Sequence, residues 1–587
     1  MYKNLLSCIG EYKKYAILTP LVMIGEVLME ILIPLVMAQI IDVGILGDGG
    51  ISYIVKMGLL MIGMALVSLS FGALGGKFAA KVSMGFAKNL RKKLFDKVQD
   101  FSFSNVDKFS TPSLVTRLTT DVTNTQNAFM MLIRTAVRAP IMLIGATIMA
   151  IIINVKLSIV FLIAVPILGV CLFLIVYNAH PRFVAMLKHY DEMNGNVQEN
   201  LTGIRVVKAF VREKHEIKKF ESSADEVRKA QVFAEKVVIL NGPLMQFSMY
   251  SCIIAVLWFG GNMVIGGTFE LGQLSSFINY IGQILMSLMM LSMIFIMVVI
   301  SRASVTRITE VLMEEIDIKD NEDSKYNNVT DGSIEFKNVS FSYAKDFSYA
   351  KDFSHEKDED NLTLTDINLK IESGETIGII GGTGSSKTTL VQLIPRLYDV
   401  QKGTILVGGQ NVADYGLDTL RGEVAMVLQK NVLFSGTIRD NLKWGNELAT
   451  EEEVISACKS AQAHDFIMSF PLGYDTVLGQ GGVNVSGGQK QRLCIARALL
   501  KQPKIIIMDD STSAVDTATD KKIRDALRAN LKGTTTIIIA QRISSVWDAD
   551  KVIVIEDGQI DAFGRPEELL ETNKIYREVY ESQQKGA

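Results

Sequence analysis

Residues 376–394 read TIGIIGGTGSSKTTLVQLI. Thr376–Ile380 is a short apolar run with the pattern of a buried strand. It leads into the glycine-rich Gly381-Gly-Thr-Gly-Ser-Ser-Lys-Thr388 and then into the helical pattern Thr389-Leu-Val-Gln-Leu-Ile394. A strand, a glycine loop and a helix in that order form a cradle for phosphate. The loop's backbone N–H groups close on anionic oxygens, and the helix N-terminus adds positive potential. Lys387 is placed to reach β- and γ-phosphates, and Thr388 to offer its hydroxyl to magnesium. One position departs from the pattern, with Ser386 standing where glycine precedes the lysine. Its N–H remains available, but a positive φ there would be strained.

Outward from this loop, short β-rich runs at Ser333–Val339, Glu423–Leu428, Ile505–Met508, Thr535–Ile539 and Val552–Ile555 alternate with helical patterns, as in an α/β domain. Gln429 lies in MVLQKNVLFSGTI, between the loop and Val485-Ser-Gly-Gly-Gln-Lys-Gln-Arg492, which opens the helical Leu493–Leu500. Ile505-Ile-Ile-Met-Asp-Asp510 then reads as a strand ending in two carboxylates. Ser513-Ala-Val-Asp516 and Ile537-Ile-Ile-Ala-Gln541 follow.

Toward the N-terminus the character changes. The 587 residues are 48% hydrophobic and 21% charged, with mean hydropathy +0.25. That value averages a strongly apolar part and an ordinary soluble part, and the apolar content excludes a disordered chain. Six long apolar stretches run roughly Ile17–Val43, Ile51–Ala80, Phe129–Asn154, Leu157–Ala179, Val237–Ile265 and Leu271–Ile300. Each has the ~20 residues a membrane-spanning helix needs, and lipid leaves the backbone no partners outside a helix. Lysine and arginine orient the stretches. The connections after the second and fourth are rich in them, among others Lys88, Arg91, Lys92, Lys93, Arg182, Arg205 and Lys208, whereas Gly44–Gly50 and Gly266–Glu270 have none. The expectation is a multi-pass cell-membrane protein whose two long connections, both termini and phosphate-binding domain are cytoplasmic. The polar Asp317–Thr330 reads as a linker. The expected domains are therefore a membrane domain at 1–315, a linker at 316–332 and a nucleotide domain at 333–587.

Taken in order, these motifs resemble an ATP-binding cassette half-transporter of the exporter type, in which a six-helix membrane bundle is fused to one P-loop NTPase domain. The resemblance covers nearly the whole chain and implies an ATP-driven export ATPase using ATP and Mg2+. It assigns Gly381, Gly382, Thr383, Gly384, Ser385, Ser386, Lys387, Thr388 and Thr389 to the phosphate loop. Tyr343 matches the aromatic residue that stacks on adenine, with Tyr349 as a rival because FSYAKD occurs at both 341–346 and 347–352. Thr388, Gln429 and Asp509 match the magnesium groups. Ser486, Gly487, Gly488 and Gln489 match the signature that completes the site of the opposite subunit, and Asp516 the loop at that interface. Stretches near Asn105–Thr116 and Asn200–Phe210 match the short transverse helices that pass motion to the membrane.

Two further departures bear on catalysis. The family's catalytic glutamate is Asp510 here, and its switch histidine is Gln541. One methylene less withdraws the carboxylate by about 1.5 Å, and a general base works only within hydrogen-bond reach of its water. Glutamine can bond a γ-phosphate but carries no positive charge. Both changes leave the binding groups in place, as in the degenerate-site subunit of heterodimeric multidrug exporters. The implied function is export of amphipathic drugs or lipids by alternating access. The implied partners are a different half-transporter carrying glutamate and histidine, the lipid bilayer and a hydrophobic or amphipathic substrate. A homodimeric peptide or lipid exporter and an ATP-gated channel or regulatory subunit are the alternatives.

A pI near 6.1 gives no basic footprint for nucleic acid. The cysteines Cys8, Cys171, Cys252, Cys458 and Cys494 form no CxxC pair, so neither a disulfide framework nor a zinc site is expected. Glu26 and Glu30 share one face of the first apolar stretch. They pair with residues such as Arg134 or Arg138, lie at the cytoplasmic mouth, or attract a cationic drug.

Overall fold

The computed structural model describes residues 5–320, 324, 326–343 and 362–585. The second FSYAKD copy, with Tyr349, lies outside the described residues. The chain forms two compact units, one of Met1–Gln99 with Thr111–Glu314 and one of Asp100–Ser110 with Glu315–Ala587.

The first unit is helical. Its long helices are Lys13–Gln39, Gly50–Gln99, Val122–Ile153, Val155–Thr202, Glu213–Val238, Asn241–Ile265 and Leu271–Met313. Among the described residues, six spans are long and apolar enough to cross a membrane. Gly50–Gln99 has 50 residues and Val155–Thr202 has 48. At 1.5 Å per residue the longer one extends about 75 Å, more than twice a hydrocarbon core of ~30 Å. Both therefore carry their charged ends unbroken beyond any bilayer. Ile17, Leu59, Ile152, Phe173 and Ile265 stay exposed. Water penalises such a surface, and hydrocarbon does not.

Pro34, inside Lys13–Gln39, removes the N–H that would have bonded the Glu30 carbonyl. The Leu271–Met313 helix repairs the break with one of its faces. Gln283 Nε2 donates to Glu30 O at 3.2 Å, Tyr280 OH to Ile31 O at 2.7 Å and Ser276 Oγ to Pro34 O at 2.5 Å. The two carboxylates of the first helix are also accounted for. Arg138 donates to Glu26 Oε1 at 3.0 Å and to both oxygens of Glu30 at 2.8 and 2.9 Å. Pairing, rather than a free anionic pair, is therefore their state.

The second unit is built on a six-stranded sheet in the order Gln559–Gly564, Lys551–Glu556, Thr376–Gly381, Thr535–Ile539, Ile505–Asp509 and Val424–Val427. Only Gln559–Gly564 pairs antiparallel; the other pairings are parallel. Ile505–Asp509 and Thr535–Ile539 are buried along their whole length, as parallel strands covered on both faces must be. Ile506 and Met508 enter a core with Cys494 and Leu499, while Ile505 and Ile507 enter another with Leu390 and Phe336. A second sheet runs Leu364–Ile371, Ile334–Phe341, Lys402–Val407 and Gln410–Asn411. Leu364–Ile371, Lys402–Val407 and Gln559–Gly564 are absent from the runs read in the sequence, because they mix polar and apolar residues instead of forming a continuous apolar run. Within the stretch expected as a linker, Val329 is fully buried in this unit's core and Tyr326 lies 5.6 Å from the Tyr415 ring.

The helix Phe103–Phe109 belongs to this second unit. Tyr398 OH donates to Asp107 Oδ2 at 2.8 Å, and Ser102 and Ser104 donate to the Asp317 carboxylate.

Candidate nucleotide site and family

Thr376–Gly381 lies between Lys551–Glu556 and Thr535–Ile539, so its exit loop leaves from the middle of the sheet. Gly381 has no room for a side chain, since a Cβ would stand 2.3 Å from Ile555 O. At Gly382 and Gly384 the same position is open, and Gly384 has φ +86°. Ser386 adopts φ 70° and ψ 21°, a left-handed conformation. The strain foreseen for a non-glycine residue is therefore present, at a cost of about 1–3 kcal/mol. Such a conformation is held where the loop must curl its N–H groups inward.

Lys387 opens the helix Lys387–Gln392. Its Nζ donates to Gly381 O at 3.0 Å, Gly382 O at 2.6 Å and Ser385 Oγ at 3.3 Å. Burial lowers its pKa, with Asp509 and Asp510 pulling the other way. The ammonium thus spans the mouth of the loop on neutral oxygens, which anionic ones can replace. Thr388 Oγ1 donates to Asp509 Oδ1 at 3.1 Å, at the end of Ile505–Asp509. Asp509 is buried, and that burial raises its pKa despite the Thr388 bond. A hydroxyl and a hard carboxylate oxygen meeting beside a phosphate loop are a donor set that suits magnesium.

Asp510 also has a left-handed backbone, with φ 47°. Its N–H donates to Ile539 O at 3.1 Å. Its Oδ2 accepts from Gln541 Nε2 at 2.9 Å. Burial raises its pKa too, opposed by hydrogen bonds from Gln429 and Gln541 and by the Lys387 charge. Tyr343 is partly exposed, with its hydroxyl 3.0 Å from Thr389 Oγ1 and 3.3 Å from Gln392 Oε1. Its ring meets Tyr398 edge-on at 5.1 Å.

Ser486 caps the helix Gly487–Leu500 through a capping box with Gln489. Ser486 N–H donates to Gln489 Oε1 at 2.8 Å. Ser486 and Gly487 are exposed. A Cβ at Gly488 would stand 2.8 Å from Ala514 O, which explains that glycine by packing. Gln491 brackets the neighbouring loop, bonding Ser513 Oγ and Ala514 N. Asp516 caps the helix Thr517–Asn530 at Thr519 N.

Lys387, Thr388, Gln429, Asp509, Asp510 and Gln541 are thus brought into one network. Among the described residues, no hydrogen bond or ion pair joins that network to Ser486–Gln489. Sequence reasoning missed the Ser385 hydroxyl as a partner of Lys387, and it missed the Asp107–Tyr398–Tyr343 chain. Neither has a local sequence signal, since each depends on residues brought together by folding.

Comparison with known proteins agrees with this architecture. The family profile described as the ABC transporter transmembrane region matches residues 17–288, and that described as ABC transporter matches residues 364–513. The ABC transporter ATP-binding protein YfiB of Bacillus subtilis (strain 168) is 38% identical over 98% of both chains. The ATP-dependent lipid A-core flippase of Syntrophus aciditrophicus (strain SB) is 31% identical over 84% of this chain and 80% of its own. The structure of a bacterial Atm1-family ABC exporter with ATP bound superposes with TM-score 0.82 at 25% identity, over 98% of this chain and 99% of that one. The chain belongs to the ABC transporter family, as an exporter-type half-transporter that fuses a six-helix membrane domain to an ATPase domain coupled to transport.

Proposed function

We propose that this chain is one half of a heterodimeric exporter, and that its own phosphate loop holds ATP but hydrolyses it poorly. The observation that carries this reading is the 2.9 Å bond from Gln541 to Asp510. The carboxylate placed to activate water is the short one, and it is engaged by a neutral amide. About 1 Å of misplacement at a reacting centre can slow a reaction ~100-fold. Gln541 brings no cation toward the charge that develops on a transferred phosphoryl group.

In this reading the binding groups are kept. The N–H groups from Gly381 to Thr389 cradle the phosphates, Lys387 neutralises the β- and γ-oxygens, and Tyr343 offers a ring to adenine. Thr388, Asp509 and Gln429 would hold magnesium, which supplies charge neutralisation of the phosphates when bound. Ser486, Gly487, Gly488 and Gln489 lie at a helix N-terminus, with Ser486 and Gly487 exposed, and would present donors to an anion. With no bond to this chain's own phosphate loop, they are assigned to the ATP held by a partner half-transporter with catalytic glutamate and histidine.

Phe103–Phe109 and Ile204–Ala209 pass closure of the ATPase domains to the membrane helices, which rock between access states. The charge pattern of the loops supports cytoplasmic termini. The lipid flippase among the relatives supports a lipid or similarly amphipathic substrate. The domains proposed are 1–315 and 333–587, with the intervening 316–332 packing in part on the ATPase domain through Tyr326 and Val329.

The test is ATPase activity of this chain alone against this chain co-assembled with its partner half-transporter. The heterodimer reading requires the mixture to be much faster, and equal rates would overturn it.

A further inference from the structure

We propose that Gln583 is a positioning residue for Gln541, acting from the helix Lys574–Lys585. The proposal rests on the reading of Gln541 as the switch residue of this ATP site, whose amide can bond a γ-phosphate.

The strand Thr535–Ile539 ends just before the switch segment. Ala540 N–H still reaches Ile379 O at 3.3 Å, but beyond it no ladder bond from the sheet is found among the described residues. One side-chain amide takes over. Gln583 Nε2 donates to Gln541 O at 2.7 Å, and Gln583 Oε1 accepts from Ile543 N–H at 2.8 Å. The two bonds bracket Arg542 and fix the backbone on both sides of it, as a neighbouring strand would. With Gln541 O held, the Gln541 side chain is directed to Asp510 Oδ2 at 2.9 Å.

The helix that supplies the amide is anchored. Tyr576 is fully buried, Val579 and Tyr580 pack against the same core, and the Tyr580 ring lies 5.3 Å from Trp547. Positions 576, 579, 580 and 583 follow i, i+3, i+4, i+7, so the apolar stripe that docks the helix also aims Gln583. Gln583 itself is exposed. It therefore adds little to the core, and its geometry points to placement of the switch segment.

The test compares the full chain in lipid nanodiscs with Gln583→Met, which keeps length and loses both bonds, and with Gln541→Ala and the double variant. Binding of Mg-ADP and of the Mg-β,γ-imido analogue of ATP is measured. Gln541→Ala is expected to weaken the analogue about fivefold, one hydrogen bond's worth, and to leave ADP unchanged. Gln583→Met is expected to weaken the analogue about threefold or more by the same bond arithmetic, with ADP binding unchanged. In the Gln541→Ala background it should have no further effect. An effect on ADP and analogue alike, no effect at all, or an undiminished effect in the double variant overturns the proposal. A flat result for Gln541→Ala is the distinct failure of the γ-phosphate role itself.

Discussion

Gln541 Nε2 donates to Asp510 Oδ2 at 2.9 Å, across 31 residues of sequence. Both residues sit at the carboxyl ends of adjacent parallel strands, Thr535–Ile539 and Ile505–Asp509. In the proposed reading, the pair closes the catalytic end of the phosphate site with an acid one methylene short and an amide that cannot ionise.

Replacing Gln541→His puts an ionisable donor at this position. Hydrolysis by the chain alone should rise about tenfold, within the range of a single positioned electrostatic or acid–base group. The affinity for ATP should stay within about twofold, since a hydrogen bond is exchanged rather than added. Phosphate release and equilibrium binding on the same preparation check this. A fall in hydrolysis would show that the amide is the better donor.

Ser386→Gly relieves the left-handed strain at φ 70°. Glycine adds unfolded-state freedom, so the net gain should be about 1 kcal/mol. Thermal unfolding of the nucleotide-free chain should shift upward, with ATP binding retained because the N–H stays. A downward shift would mean that the Ser386 side chain supports the loop.

Arg138→Leu leaves Glu26 and Glu30 without the guanidinium that bonds both. Stranding a buried charge costs about 3–5 kcal/mol, so the variant should assemble poorly. The triple change Glu26→Gln, Glu30→Gln and Arg138→Gln should recover much of that loss. Thermal midpoints in detergent of the parent, single and triple variants decide it, and an Arg138→Leu protein as stable as the parent contradicts the pairing.

Burial lifts the Asp510 carboxyl above its ordinary value. Over the window from about pH 4, the ordinary aspartate value, up to the raised one, the folded protein holds a proton that the unfolded chain has released. The stability tied to this group is complete below the ordinary value and is lost as pH rises through the folded one. Asp510→Asn removes the exchange. Its unfolding midpoint should fall less than the parent's as pH rises through that window, and parallel curves would contradict the shift.

Much of this was legible because the decisive chemistry is local. The strand–loop–helix around Lys387 is contiguous, Asp509 and Asp510 are adjacent, and six apolar stretches stand out against polar connections. The identities of Asp510 and Gln541 were readable, but their bond was not, because it depends on the parallel register of two distant strands. The repair of Pro34 by Gln283, Tyr280 and Ser276 joins helices more than 240 positions apart. The outer strands escaped notice because a half-exposed strand alternates polar with apolar residues.

The central claim is that this chain's own site is limited by its base. Single-turnover hydrolysis of ATP by the purified chain, parent against Asp510→Glu and Asp510→Glu with Gln541→His, tests it most directly. The account predicts about tenfold acceleration for the single variant and about 100-fold for the double, by restoring reach and charge together. A parent already as fast as both variants would contradict it.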